Sequence, residues 1–218
     1  TPQIPKATYR FWWEFGDPLS GPLNNSTARN PTHIFTAPGT YNVRFMNITT
    51  AGCLSDTIPG TIIVPQLPVG TISGTITVCK NDPSPQITFS GTEGKPPYTF
   101  TYNINGGPNQ TVTTTTGNSA TVTVPTTTAG TFTYNLISVQ EGSANFCNQA
   151  QIGSAVVIVN PLPTGNFTFT APSCETRTIT FTDASAANAG AINNWQWNFG
   201  DPASGAANTS TLQNPTHT

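Results

Sequence analysis

One stretch of this chain occurs twice, and that limits what the chain can fold into more than any other feature. Residues 13–33 run Trp-Glu-Phe-Gly-Asp-Pro, a polar segment, then Asn-Pro-Thr-His; residues 197–217 run Trp-Asn-Phe-Gly-Asp-Pro, a similar segment, then Asn-Pro-Thr-His. Trp13 matches Trp197, Asp17 matches Asp201 and His33 matches His217, always at the offset 197 − 13 = 184, with no insertion or deletion between. A fixed period of this length is the signature of tandem structural units. Residues 1–34 correspond to 185–218, so the 218 residues hold one period and the opening of the next. The expectation is a segment of a longer repeating polypeptide whose two flanking units are each incomplete.

Composition narrows the class. Charged residues make up 7% of the chain and the formal net charge is −2, which supplies no electrostatic footprint for nucleic acid or an anionic membrane. Thr, Asn and Ser carry the polar surface, and 19 Gly and 20 Pro punctuate runs of alternating apolar residues. That alternation argues for half-buried strands over disorder. No run of apolar residues reaches the length of a membrane span. The cysteines, Cys53, Cys79, Cys147 and Cys174, form no Cys-x-x-Cys pair of the kind used by zinc or redox sites.

Strands are expected where period two is clear: residues 9–15, with Tyr9, Phe11, Trp13 and Phe15 on one face, then 41–46 and 57–64. In the middle, 71–78, 86–90, 98–104, 110–115, 120–124, 131–139 and 151–159 read as short strands between turn signals. Such a series suggests a β-sandwich. Residues 167–169, 178–181 and 194–199 follow as further strands.

Trp-x-Phe-Gly-Asp-Pro from Trp13, Asn-Pro-Thr-His-x-Phe from Asn30 and Pro-Gly-Thr-Tyr-x-Val from Pro38 together resemble the polycystic kidney disease (PKD) domain family. The resemblance implies immunoglobulin-like β-sandwiches: residues 1–65 as the later part of one module, 66–162 as a complete divergent module, and 163–218 as the early part of the next. It extends to the alternating modules of giant surface adhesins that gliding bacteria export by the type IX route. It implies an extracellular, non-catalytic stalk or filament segment, whose partners are adjacent repeats or neighbouring chains and, beyond them, surface glycans or proteins. Nucleic acid, membrane insertion and cofactors are not expected. The rival reading is an accessory carbohydrate- or protein-binding module of a secreted hydrolase.

Asp17 and Asp201 are the candidate calcium ligands, but no Asp-x-Asp-x-Asp run accompanies either, so a turn carboxylate that accepts backbone N–H bonds is the expectation. His33 and His217 lack a second His or Cys at metal-ligand spacing and are expected to bond the loop. The two histidines are repeat equivalents of each other, which a catalytic triad does not require. Trp12 stands opposite in sense to Phe11 and Trp13 and matches the polar Gln196, so it is the candidate for an outward contact surface. Each module type has one cysteine before an early strand and one after a late strand, which predicts a Cys79–Cys147 bridge and leaves Cys53 and Cys174 for bridges to other copies.

Overall fold

The structure is a computed structural model, and it describes residues 10–49, 51–143, 147–170 and 178–218. Tyr9 and Cys174 lie outside the described residues. Among those described, strands dominate and every strand pairing stays within one of three stretches of the chain.

The first stretch contains β1 (Arg10–Glu14), β2 (Asn25–Ser26), β3 (Gly39–Ile48) and β4 (Ile58–Val64). They form one antiparallel sheet in the order β2-β1-β3-β4. Phe11, Trp13, Phe45 and Ile62 share one face through the registers Trp13↔Phe45 and Tyr41↔Ile62. That face has no second sheet over it among the described residues, and Ile58 and Ile62 stay 59% and 42% exposed. The polar segment after Asp17 is a 3-10 turn over Pro18–Asn24 followed by β2.

The middle stretch is a complete sandwich. Its strands are β5 (Val69–Ser73), β6 (Ile76–Cys79), β7 (Gln86–Thr92), β8 (Thr99–Ile104), β9 (Gln110–Thr113), β10 (Ser119–Thr123), β11 (Gly130–Gln140), β12 (Asn148–Ala150) and β13 (Ser154–Asn160). One sheet runs β10-β7-β5; the other runs β6-β13-β11-β8-β9, with β12 on β11. This two-sheet arrangement is the immunoglobulin-like topology. The core is built by alternation: Ile87 and Phe89 from the first sheet meet Phe100, Tyr102, Tyr134, Leu136, Val157 and Val159 from the second. Ile87, Phe89 and Phe100 are fully buried, each contributing roughly 2–3 kcal/mol of apolar transfer.

The single strand expected over 71–78 is two. β5 pairs antiparallel with β7, while β6 crosses over and pairs parallel with β13. Gly74 makes the crossing: its φ is +115°, and a Cβ there would stand 2.5 Å from the Gln86 carbonyl oxygen. Only glycine combines that backbone conformation with so close an approach.

The sandwich also corrects the predicted Cys79–Cys147 bridge. Cys79 ends β6 opposite Asn160, beside the start of β11 at Gly130, where Gly130 pairs with Val159. Cys147 accepts the Glu141 N–H, past the far end of β11. The length of β11 separates the two, about 30 Å or more at 3.3 Å per residue, against the less than 7 Å between Cα atoms that a disulfide requires. Both cysteines are free, as is Cys53. The strand after an early loop carries the chain to the opposite pole, and the sequence pattern does not count poles.

The last stretch holds β14 (Phe167–Phe169), β15 (Ile179–Asp183), β16 (Trp197–Asn198), β17 (Thr209–Ser210) and β18 (Thr216–His217). β14-β15-β18 form one sheet and β16-β17 another. Phe167 and Phe181 pack on Trp197 at ring separations of 5.4 and 5.8 Å, which joins the two as layers.

Candidate functional site: a duplicated aspartate–histidine loop

The residues singled out in the sequence meet at one place in each copy. Gly16, at φ +71°, turns the chain out of β1; a Cβ on it would lie 2.6 Å from the Asn42 carbonyl oxygen, so the turn is pressed against β3. Asp17 follows and is 1% exposed. Its N–H donates to Asn24 Oδ1 at 2.6 Å, and its carbonyl accepts the Ser20 N–H at 3.0 Å and the Ser20 hydroxyl at 2.7 Å. These bonds close the 3-10 turn on itself.

The Asp17 carboxylate faces inward. Oδ1 accepts the Thr36 hydroxyl at 2.8 Å; Oδ2 accepts the Thr36 N–H at 3.0 Å and lies 3.1 Å from His33 Nε2. Burial by itself pushes the carboxyl upward, but the hydrogen bonds from Thr36 and His33 outweigh it and hold the pKa below its ordinary 3.8. The His33 ring stacks on Phe15 at 4.3 Å and meets Phe35 edge-on at 4.8 Å. Phe35 in turn packs on Tyr41, whose hydroxyl donates to the Ala37 carbonyl at 2.6 Å. Aspartate and histidine together staple the loop to the segment leading into β3.

The second copy repeats the geometry almost atom for atom. A 3-10 turn spans Pro202–Asn208, Gly200 has φ +75°, and Gly205 at +59° matches Gly21 at +58°. Asp201 N–H donates to Asn208 Oδ1 at 2.7 Å, and the Ser204 hydroxyl donates to the Asp201 carbonyl at 2.8 Å. His217 Nε2 lies 3.2 Å from Asp201 Oδ2, and its ring stacks on Phe199 at 4.6 Å. Burial differs: the Asp and His side chains are 1% and 5% exposed in the first copy, 43% and 15% in the second. Among the described residues no counterpart of Thr36 donates to the Asp201 carboxylate.

Chemically, the arrangement is a turn carboxylate. Both Asp17 oxygens accept protein hydrogen bonds, and no group of three or more His, Cys, Asp or Glu gathers among the described residues. Trp12 lies on the outer face of β1, 37% exposed and opposite Met46, away from the loop.

Sequence reading passed over Ser20, Asn24 and Thr36. The repeat contained the signal for two of them. Side chains that bond within the loop, Asp17, Ser20, Asn24, Ser26 and His33, are identical in both copies. Leu19, Pro22, Leu23 and Arg29, which change between copies, are exposed. A second carboxylate held by hydrogen bonds, half-buried, was also unforeseen. Asp183 accepts Ser185 N–H at 3.0 Å, Trp195 Nε1–H at 2.9 Å and Gln213 Nε2–H at 3.3 Å. These bonds, those from Ser185 foremost, lower its pKa from 3.8 to about 2.

No protein-family profile and no curated protein matches the chain. Among solved structures it is similar to a Ca2+-stabilised adhesin with which an Antarctic bacterium reaches out and binds ice, at 12% identity over 96% of this chain and 56% of that one, TM-score 0.42. It is similar to a tetra-tandem repeat from the extending region of a large adhesion protein, at 15% identity over 98% and 56%, TM-score 0.33. The D00-D0 domain of intimin matches at 15% identity over 70% and 85%, TM-score 0.31. Likeness at this level carries no argument, and the immunoglobulin-like assignment rests on the strand order alone. No helix among the described residues is long and apolar enough to cross a membrane.

Proposed function

We propose that this chain is a non-catalytic structural segment of a large cell-surface adhesin, built of PKD-like modules in tandem. The modules are bounded near 1–65, 66–162 and 163–218, and the adhesin is of the kind exported by the type IX route. One observation carries the reading: two loops 184 residues apart close with the same hydrogen bonds to within 0.2 Å. A unit that is copied with its staple intact serves the polypeptide's own architecture. The polar groups of the staple are spent on the loop itself, since the Asp17 carboxylate, the Asn24 amide oxygen and the Ser20 hydroxyl all bond within it. Pro65, Pro68, Pro161 and Pro163 flank the middle sandwich, and their fixed φ angles favour stiff junctions between modules.

Small-angle scattering tests the proposal. A stalk segment has a radius of gyration well above the roughly 17 Å of a compact globule of this length. A value near the compact one overturns the proposal, and so does a hydrolase activity that a point substitution in the chain abolishes.

A further inference from the structure

The two copies agree on one side of their tryptophan strand and disagree on the other. Phe11, Trp13 and Phe15 match Trp195, Trp197 and Phe199, so the inner side is aromatic in both. On the outer side Arg10, Trp12 and Glu14 match Asn194, Gln196 and Asn198. Phe167 and Phe181 pack on Trp197, which marks that side as the inner one, and the alternating residues point the other way. Asn194, Gln196 and Asn198 are exposed, as are Arg10 and Trp12. Uncharged amides therefore satisfy these positions of the fold, and the Arg-Trp-Glu set of the first copy answers to something other than folding.

Trp12 also stands apart from the rings around it. Phe11 and Trp13 pack on Phe45, and Phe15 stacks on His33, whereas no ring packs on Trp12 among the described residues. Across the sheet Trp12 faces Met46, and Glu14 faces Arg44. Arg10 is about 7 Å from Trp12 along β1. Arg44 is its diagonal neighbour on β3, about 7–8 Å away. One exposed indole thus lies between two guanidinium groups, in a chain with 7 Lys and Arg in all. Arg10 makes no ion pair among the described residues. Arg44 lies 3.7 Å from Glu14, but both side chains are well exposed, so that contact yields readily to a competing anion.

We propose that the outer face of β1 and β3 binds an acidic polysaccharide, one that carries uronic acid residues, with Trp12 as its stacking platform. The apolar face of a sugar ring lies on the indole, and its carboxylate takes paired N–H bonds from Arg10 or Arg44. Size and charge choose this occupant. One indole and the half-buried Met46 offer far less than the roughly 800 Å² a side of a stable protein interface. Two guanidinium groups beside a single ring favour a negative ligand, while the net charge of −2 disfavours one as densely charged as nucleic acid. The inference goes beyond the adhesin reading and does not rest on it, since it concerns one face of one module whatever the parent protein does.

Titration of the 218-residue chain with galacturonate and mannuronate oligomers, followed by NMR at the Trp12 indole N–H, tests the proposal. At least one oligomer should bind with a Kd of about 0.1–1 mM at low salt, and more weakly as salt rises. Trp12→Gln and Arg10→Asn each import the residue of the second copy, so both should keep the parent Tm. Each should weaken binding at least roughly tenfold, read for Trp12→Gln by calorimetry. The methyl ester of the same oligomer keeps the rings and loses the charge, and should bind at least roughly tenfold more weakly. Absence of binding to either oligomer at about 10 mM overturns the proposal, as does binding that survives Trp12→Gln. Equal binding of the methyl ester would give the face to a neutral glycan, and tighter binding of single-stranded DNA would give it to a nucleic acid. Self-association abolished by Trp12→Gln would give it to a second copy. Each of these overturns the proposal, and so does a Tm that falls in both variants, since the outer residues would then serve the fold.

Discussion

The two aspartate–histidine loops have nearly the same sequence and nearly the same internal hydrogen bonds, yet Asp17 is 1% exposed at its side chain and Asp201 43%. The difference lies outside the loop. In the first copy β3 runs beneath Gly16, and Thr36 donates both its N–H and its hydroxyl to Asp17. In the second, neither is there among the described residues. Even the tryptophans diverge: Trp197 Nε1–H donates to the Leu212 carbonyl at 2.8 Å, whereas the buried Trp13 Nε1–H has no hydrogen-bond partner among the described residues. Local sequence is enough to shape the loop, while its burial depends on a neighbouring strand.

Glycine substitution should break this comparison most sharply. Gly16→Ala puts a Cβ 2.6 Å from the Asn42 carbonyl oxygen, and Gly200→Ala puts one into open space at a similar positive φ. We expect a loss of roughly 3 kcal/mol or more at Gly16 and about 1 kcal/mol at Gly200. Local amide exchange in the two loops reads the costs separately. Equal losses would mean that β3 does not constrain the first loop.

Asn24→Ala and Asn208→Ala form the matched pair. Each removes the acceptor of an aspartate N–H, at 2.6 and 2.7 Å, and each should cost about 1–2 kcal/mol. Similar values in denaturant melts would support a turn set by its own residues; a cost confined to the first copy would refute that.

Thr36→Val, at about 1 kcal/mol, should make the first loop behave like the second. It removes the hydroxyl from Asp17 Oδ1 and keeps the N–H on Oδ2. The Asp17 pKa, followed by carboxyl NMR, should rise toward its ordinary value.

Acid should have the smallest effect, and the sign follows from the depressed pKa values. Asp17 and Asp183 both titrate lower folded than unfolded, so their stabilisation is complete above the unfolded value and is lost as pH falls through the folded one. For Asp183 that window runs from 3.8 down to about 2. Asp183→Asn should flatten the stability profile there, and an unchanged profile would show that the Trp195 and Gln213 bonds do not favour the ionised form.

Strand alternation made much of this fold legible. Ile87 and Phe89, or Val157 and Val159, point inward because period two leaves one face apolar. The same signal was blind to Gly74, where one apparent strand changes sheets, because apolar alternation continues on either side of the crossing. It also misled over Cys79 and Cys147, which sit in plausible loops at opposite ends of β11. A pole is a property of how many times the chain has traversed the sheet, and no residue records it locally.

Repeat, alternation and loop are all written in the residues: Gly16 and Gly200 supply the positive φ, Asn24 and Asn208 the acceptor, and His33 and His217 the rings that stack on Phe15 and Phe199. These contacts all fall within the repeated segments 13–33 and 197–217, so the repeated residues suffice to specify them. Which loop is buried, which sheet has a covering layer and which cysteines stand far apart became visible in the folded chain. Each of these depends on where a distant strand comes to lie, and long-range pairing is set by the summed burial of whole faces and not by any short motif.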